Sequence, residues 1–238
     1  MSQFELVIFD CDGVLVDSEG ITTRVLAAML NEMGLGISAD KLYDSFHGRS
    51  LAQWLALIAD MLAEPVPETF VPALRERAAA ALWAEVTPIA GVADVLAGLQ
   101  IPFCVASSGD YEKMKLTLGK TGLLAWFGTN IFSITDVEKP KPAPDIYLHA
   151  ARQNGVDPHA CVVIEDSATG VQAGVAAGMT VFGFAAQTPA QQLCKAGAQA
   201  IFTDMTQLPH LLASPDTQKK QYHRLNKLQM RNNSQGRV

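Results

Sequence analysis

Two aspartates near the start of the sequence are spaced so that both can act on one bound group. The segment FDCDGVLVDSE places Asp10 and Asp12 where an apolar, strand-like run ends. On an extended chain, side chains two positions apart point to the same face, with backbone positions roughly 6 to 7 Å apart. Two carboxylates this close repel each other, and a neighbouring cation relieves that repulsion. The pair therefore predicts a divalent metal ion, and such oxygen ligands favour magnesium.

The same letters also fit an ordinary turn, because aspartate and glycine are common turn residues. Three further polar clusters favour a catalytic interpretation, since each accompanies an apolar run of strand length. They are Ser107-Ser108-Gly109, the segment KPKPAPD at 139–145 and the segment IEDS at 164–167. A doubly wound sheet keeps its ligand site beyond the carboxyl ends of its strands, where clusters of this kind meet.

The residue types in these clusters suit a phosphate group. Hydroxyl and N–H groups at Ser107 and Ser108 can hold phosphate oxygens, although an ordinary helix N-cap has the same letters. Lys141 can neutralise a transferred phosphoryl group, although exposed loop lysines are common. Glu165 and Asp166 can complete the metal site, or they can simply cap the next helix.

Five runs of β-branched and aromatic residues have the length of strands. They lie at 4–9, 101–106, 161–165, 180–184 and 200–202. Their nearly continuous apolar character is typical of parallel strands that helices cover on both faces. Helix-like segments at 111–120, 145–154 and 167–178 supply the crossovers. We therefore predict an α/β fold with a doubly wound parallel sheet.

The stretch from about residue 15 to residue 87 shows no strand pattern and is predicted to be helical. Its apolar stripes indicate three helices, at 21–33, at 51–62 and around 74–82. Because this insertion follows the first strand directly, we expect it to lie over the site as a cap. The predicted organisation is a core of residues 1–15 and 87–212, a helical cap of residues 16–86 and a basic tail of residues 213–238.

Composition and charge narrow the class of protein. Apolar residues make up 49% of the 238 residues and charged residues 18%, a balance typical of a globular chain with a large core. We find no signal-peptide pattern and no apolar run of about 20 residues, and the four scattered cysteines fit reduced core positions. We therefore expect a cytoplasmic protein without a membrane partner. The tail carries six Lys or Arg and a single Asp; we interpret it as a solvated end, not a nucleic-acid site.

The four clusters, in this order, resemble the motifs of the haloacid dehalogenase superfamily over most of residues 4–186. DCDGV corresponds to motif one, Ser107 to motif two, Lys141 before PAPD to motif three, and EDS followed by GVQAGVAAGM to motif four. The insertion resembles the small helical cap of the beta-phosphoglucomutase-like branch. The resemblance implies a Rossmann-like core with an inserted α-helical cap domain.

The resemblance also implies roles for individual residues. Asp10 would be the nucleophile that forms an aspartyl-phosphate, and Asp12 would act first as the acid and then as the base. Mg2+ would be held by Asp10, by the Asp12 carbonyl and by Asp166, with Glu165 close by or acting through water. The phosphoryl oxygens would be bound by Ser107, Lys141 and backbone N–H groups near Cys11, Asp12 and Ser108.

Other reactions on the same fold are weighed by residue type. A dehalogenase lacks the second acid of motif one, so Asp12 argues against that reaction. A sugar-phosphate mutase would carry a histidine on the first cap helix and a Lys-Asn pair after motif two, where this chain has Thr22 and Asp110-Tyr111. These departures favour hydrolysis, with a mutase or a non-catalytic binding protein as the alternatives. The GKT at 119–121 is not a nucleotide loop, because Met114 stands where that motif requires glycine.

Substrate choice is expected to depend on the cap. His47 and Arg49 form a polar spot between two cap helices. Arg49 there can bind a second anionic group such as a carboxylate, although a solvent-facing loop fits the same letters equally well. The expected partner is a small phosphorylated metabolite, either a sugar phosphate or a phosphorylated sugar acid of the kind that 6-phosphogluconate phosphatases hydrolyse. Monomer and dimer both stay open.

Overall fold

The computed structural model describes residues 4–46 and 51–213 of the chain. Its central feature is a sheet of six parallel strands in the order β5-β4-β1-β6-β7-β8, beside an antiparallel ribbon of β2 and β3. The strands are β1 (Leu6–Phe9), β2 (Val16–Asp17), β3 (Thr87–Pro88), β4 (Phe103–Ser107), β5 (Ile131–Ser133), β6 (Cys161–Glu165), β7 (Thr180–Phe184) and β8 (Ala200–Phe202).

Helices connect most of these strands and follow the last one. In chain order they are α1 (Glu19–Glu32), α2 (Ala39–Phe46), α3 (Leu51–Leu62), α4 (Phe70–Glu85), α5 (Val92–Gly98), α6 (Tyr111–Lys120), α7 (Leu124–Phe127), α8 (Asp145–Gln153), α9 (Ala168–Ala176), α10 (Ala190–Ala196) and α11 (Leu208–Ala213). None of the helices in the described ranges is long and apolar enough to cross a membrane.

The parallel sheet is covered on both faces, and this explains why its strands are apolar at nearly every position. All four residues of β1 are fully buried. Successive side chains of a strand point to opposite faces. Val7 and Phe9 accordingly join a cluster with α5, α6 and α11, whereas Leu6 and Ile8 join one with α8, α9 and α10. The four cysteines are free thiols, and only Cys194 is not fully buried.

The predicted fold class is confirmed, because the core is a doubly wound parallel sheet with an inserted helical segment. The runs at 161–165, 180–184 and 200–202 coincide with strands β6, β7 and β8, and the other two runs overlap β1 and β4. The sequence pattern missed β5 at the edge of the sheet. That strand has three residues, which is too short for its apolar character to stand out from a loop.

The insertion differs from the prediction in two ways. The expectation of three helices was wrong, because α2 is a fourth. Half of its residues are polar, and its Leu42 is fully buried. The expectation of no strand was also wrong, since Val16 pairs with Pro88 and Asp17 with Thr87 where the insertion leaves and rejoins the core. The four helices share a hydrophobic cluster of their own, with members Leu26, Leu30, Leu42, Ile58, Phe70 and Leu74. The domain limits drawn from the sequence stay a prediction.

Two glycines allow helix α9 to lie close against strands and side chains of the core. A Cβ atom at Gly174 would lie 2.6 Å from Cγ2 of Val181, and one at Gly170 would lie 1.6 Å from Oε1 of Glu165. Real Cβ atoms do not approach other atoms so closely. Helix α9 can therefore pack at this distance only because these positions lack side chains.

Replacing Gly174 with alanine tests this close approach. We expect Gly174→Ala to lower the free energy of unfolding by about 1 to 3 kcal/mol, because the added methyl group overpacks against Val181. Gly119→Ala is the matched control, since no atom outside its own helix lies within 4 Å of that added Cβ. The control should raise the free energy of unfolding by roughly 0.5 to 1 kcal/mol. Urea unfolding measures both, and effects of the same sign would contradict the packing argument.

Candidate active site

Three polar residues come together because they end neighbouring parallel strands. Asp10 follows β1 directly, Ser107 is the last residue of β4, and Glu165 is the last residue of β6. Strand β1 lies between β4 and β6, and the backbone N–H of Asp10 donates a 2.9 Å hydrogen bond to the carbonyl of Ile164. The carboxyl edge of the sheet therefore holds the predicted motifs in one place.

Lys141 is buried at the centre of this edge and contacts all three strands. Its Nζ donates hydrogen bonds to Oδ1 of Asp10 at 2.6 Å, to Oε1 of Glu165 at 2.8 Å and to the carbonyl of Ala106 at 3.3 Å. The same ammonium lies 4.7 Å from the centre of the Tyr147 ring. Although burial opposes the charge, Asp10 and Glu165 raise the pKa of Lys141 well above its ordinary value. Lys141 is therefore a permanently charged partner of both acids.

Glu165 is fully occupied by groups of the protein. Its Oε1 accepts hydrogen bonds from Lys141 and from the Tyr147 hydroxyl at 3.0 Å, while its Oε2 accepts from the N–H of Ser167 at 2.7 Å and from its hydroxyl at 2.9 Å. Burial alone would raise the pKa of Glu165, but Lys141 and Ser167 lower it. This geometry gives no support to Glu165 as a metal ligand and favours a role in holding Lys141.

Asp166 differs from Glu165 in its hydrogen bonding. Its side chain is buried, and among the described residues its carboxylate accepts no hydrogen bond and forms no ion pair. A Cβ atom at Gly13 would lie 2.0 Å from Oδ2 of Asp166, so the carboxylate lies directly against the loop that follows Asp10. Burial, followed by the charges of Glu19, Glu165 and Asp10, raises the pKa of Asp166 well above its ordinary value.

The oxygen atoms at this edge that have no hydrogen-bond donor among the described residues include Asp10 Oδ2, the Asp12 carbonyl and the two carboxylate oxygens of Asp166. Burial, with further contributions from Glu165 and Asp12, raises the pKa of Asp10 to about 7 despite the contact with Lys141. The described ranges contain no group of three His, Cys, Asp or Glu side chains suited to a metal ion. The free oxygens combine two carboxylates with a main-chain carbonyl, a set of hard donors that fits magnesium.

A second set of free groups on the same loops suits an anion. The N–H groups of Cys11, Asp12 and Ser108 have no acceptor among the residues that the structure describes. The hydroxyl oxygen of Ser107 accepts a 2.9 Å hydrogen bond from the N–H of Gly109, which leaves the hydroxyl hydrogen to donate elsewhere. Free N–H groups on successive loop residues form the concave donors that bind phosphate.

Asp12 has a cationic partner that sequence reasoning missed. Its Oδ1 accepts hydrogen bonds from the Ser18 hydroxyl and, at 2.9 Å, from Nζ of Lys113. Although burial opposes the shift, Lys113 and Ser18 lower the pKa of Asp12. Lys113 lies in the first turn of α6, which Asp110 caps by accepting from the Lys113 N–H. The position of this lysine, one helical turn beyond the Ser107 cluster, could have indicated from the sequence that it lies near the site.

The predicted cap residues His47 and Arg49 lie outside the described residues. A different cap residue lies near the core, since Nη2 of Arg75 in α4 is 4.0 Å from Oδ2 of Asp110. The ammonium of Lys120 at the end of α6 also lies 5.2 Å from the centre of the Trp83 ring in α4. Helix α4 of the insertion therefore runs beside α6, whose first turn borders the site.

The matches to known proteins agree with this arrangement. The sequence model of a family described as haloacid dehalogenase-like hydrolase matches residues 4–178. The chain belongs to this hydrolase family. A 6-phosphogluconate phosphatase of Escherichia coli (strain K12) is 33% identical over 212 residues, covering 89% of this chain and 96% of that relative. The family and the named phosphatase together show that this haloacid dehalogenase-like chain is an enzyme of the phosphatase type.

Solved structures of haloacid dehalogenase-like proteins have the same fold. One from Agrobacterium tumefaciens str. C58 is 36% identical with a TM-score of 0.79, covering 88% of this chain and 98% of its own. A family hydrolase from Deinococcus radiodurans R1, with bound phosphate and sodium, is also 36% identical, with a TM-score of 0.75 over 90% of this chain and 96% of its own. The recognised family and the fold class with its helical cap are thus confirmed.

Removing the central cation tests how much the buried acids depend on it. Lys141→Met leaves Asp10 and Glu165 buried without their shared partner, so we expect the free energy of unfolding at pH 7 to fall by about 3 to 5 kcal/mol. Lys139→Met removes an exposed lysine from the same segment and should change it by less than about 0.5 kcal/mol. Urea unfolding measures both, and similar losses in the two variants would contradict the central role of Lys141.

Asp166→Asn tests whether this carboxylate is an uncompensated charge. A carboxyl whose pKa is raised by folding costs stability as the pH rises from its unfolded value, near 3.8, through the folded value. In metal-free buffer we therefore expect Asp166→Asn to raise the melting temperature at pH 8 and to change it much less near pH 4. The exposed Asp60→Asn is the control. Destabilisation of Asp166→Asn at pH 8 would show that the carboxylate is already compensated.

Proposed function

We propose that this chain is a magnesium-dependent phosphatase that works through an aspartyl-phosphate on Asp10 and hydrolyses a small sugar phosphate or phosphorylated sugar acid, with 6-phosphogluconate as the leading candidate. The observation that carries the proposal is the state of Asp10. One carboxylate oxygen is held by the buried ammonium of Lys141 at 2.6 Å, while the other accepts no hydrogen bond from the described residues. The free oxygen can bind the magnesium ion, while the ammonium of Lys141 orients the other oxygen for attack on phosphorus.

The first half of the reaction would be an attack of Asp10 on phosphorus. The phosphoryl oxygens would bind to the free N–H groups of Cys11, Asp12 and Ser108, to the Ser107 hydroxyl and to Lys141. As the bond from Asp10 to phosphorus forms, the bond from phosphorus to the substrate oxygen breaks. Asp12 would give its proton to that oxygen, and the alcohol would leave.

The second half would be hydrolysis of the acyl-phosphate. Asp12, now deprotonated, would take a proton from a water molecule that attacks phosphorus, and the bond between Asp10 and phosphorus would break. Inorganic phosphate would leave, and Asp10 and Asp12 would return to their starting states. Magnesium held by Asp10, the Asp12 carbonyl and Asp166 would supply charge neutralisation for the phosphoryl oxygens.

The substrate class rests on the relatives and on what the site leaves open. The E. coli relative acts on 6-phosphogluconate by its name, and the Deinococcus structure holds phosphate. Lys141 and the free N–H groups would bind only the phosphate, so the rest of the substrate would contact the cap. Thr22 on α1 stands where a mutase of this branch would carry a histidine, which favours release of phosphate over its transfer to a second sugar position.

Phosphate release from 6-phosphogluconate tests the proposal directly. We expect turnover with magnesium and none in a chelator. Asp10→Asn should lower kcat at least about 10³-fold, because the amide is a poor nucleophile. The exposed Asp94→Asn is the matched control and should keep activity within about twofold. Magnesium-independent release, or unchanged release by Asp10→Asn, would remove the proposed mechanism.

A second assay separates hydrolysis from the mutase alternative. The protein is incubated with a hexose 1-phosphate and a catalytic amount of the bisphosphate, and both sugar isomers and free phosphate are measured. Free phosphate without isomerisation is the expected result. Isomerised product without free phosphate would overturn the phosphatase proposal, and tight binding of sugar phosphates without either product would indicate a binding protein.

A further inference from the structure

The two oxygens of the Asp12 carboxylate have different surroundings. Oδ1 accepts hydrogen bonds from the Ser18 hydroxyl and the Lys113 ammonium. Oδ2 accepts none from the described residues and faces the loop after β4, since a Cβ atom at Gly109 would lie 3.7 Å from it. That loop begins directly after Ser107, whose hydroxyl lies 3.3 Å from the same Cβ position. One oxygen of the proposed acid is therefore occupied, and the other points toward the proposed phosphate site.

This asymmetry decides where a proton can reside. An oxygen that accepts from an ammonium and a hydroxyl at the same time has no acceptor toward which its own O–H could point. A protonated Asp12 with this geometry therefore carries its proton on Oδ2. The same two contacts also fix the rotation of the carboxyl group, because Ser18 is fully buried at the start of α1 and Lys113 extends from the first turn of α6.

We propose that Lys113, together with Ser18, is a positioning residue that makes Oδ2 of Asp12 the oxygen that transfers the proton. The inference rests on the proposed phosphatase function and adds to it a residue outside the motifs. Lys113 acts through Asp12 and does not touch the phosphate. Without Lys113 the carboxyl group can rotate or turn its proton away, and protonation of the leaving oxygen becomes slower.

The dependence of the reaction rate on the leaving group distinguishes this positioning role from phosphate binding and from a purely structural role. A sugar alkoxide is a strong base and needs a proton to leave, whereas p-nitrophenolate leaves without one. General acid catalysis contributes typically 10²- to 10⁴-fold, and only reactions that need the proton lose it. If Lys113 instead bound the phosphoryl group, both substrates would suffer alike. If it served only the stability of the fold, neither rate would depend on it in the folded variant.

The experiment compares kcat/KM for 6-phosphogluconate and p-nitrophenyl phosphate in the full chain with magnesium. We expect Lys113→Met to lower the value for 6-phosphogluconate by about 30- to 100-fold and that for p-nitrophenyl phosphate by less than about fivefold. Lys113→Arg should recover most of the loss. Lys115→Met, which removes an exposed lysine of the same helix, should change neither value by more than about twofold.

Ser18→Ala gives a second route to the same test, because it removes the other contact of Oδ1 and should show the same preferential loss. Equal losses on the two substrates in the Lys113 and Ser18 variants would overturn the inference, and so would unchanged activity in both. A wild-type protein that hydrolyses neither substrate would overturn the proposed function itself, so the two failures are distinguishable.

Discussion

A buried ammonium among carboxylates is the contact on which the rest of this site depends. Charges removed from water are unfavourable unless they are paired and hydrogen-bonded, and Lys141 pairs with Asp10 and Glu165 at once. Its third contact, the carbonyl of Ala106, lies on the neighbouring strand. One side chain thus connects β1, β4 and β6, which are far apart in sequence. Any displacement of these strands would separate a buried charge from its partner, so the parallel sheet and the active-site geometry constrain each other.

The same contact explains why the excess of negative charge at this edge is concentrated on a few oxygens. Lys141 and Lys113 each neutralise part of the acidic cluster, and Ser167 and Tyr147 complete the hydrogen bonds of Glu165. What is left over is one carboxylate oxygen each of Asp10 and Asp12, together with the carboxylate of Asp166. Of the four neighbouring acids, Asp10, Asp12 and Glu165 each pair with a lysine, whereas Asp166 has no cationic partner among the described residues.

Much of the fold could be predicted because burial leaves a strong mark on the sequence. Strands covered on both faces must be apolar throughout, and β6, β7 and β8 coincide with the predicted runs. The misses are elements whose stabilisation is not local. Strand β5 is three residues long and depends on pairing with β4, and α2 depends on the burial of Leu42 against other cap helices. Such contacts are tertiary, so no window of sequence reveals them.

The sequence also indicated most of the candidate site residues, because the pattern of strands marks where they lie. Asp10, Asp12, Ser107, Lys141 and Asp166 stand out because polar residues that end apolar strands are conspicuous, and the structure brings them to one edge. Lys113 did not stand out, since a lysine on a helix is ordinary until its partner is known. Glu165 was selected because it ends an apolar strand, and it does lie at the site. Its hydrogen bonds, however, favour a role in holding Lys141 and not in binding a metal. Spacing reveals which residues meet, but not how their hydrogen bonds are shared.

The ribbon of β2 and β3 brings the two ends of the inserted segment together. Because Val16 pairs with Pro88, the inserted segment begins and ends at one point of the core. A segment whose ends meet can be lengthened, shortened or exchanged without altering the spacing of the strands that carry the chemistry. The insertion can therefore differ in length or sequence while the strand ends that hold the candidate site keep their positions.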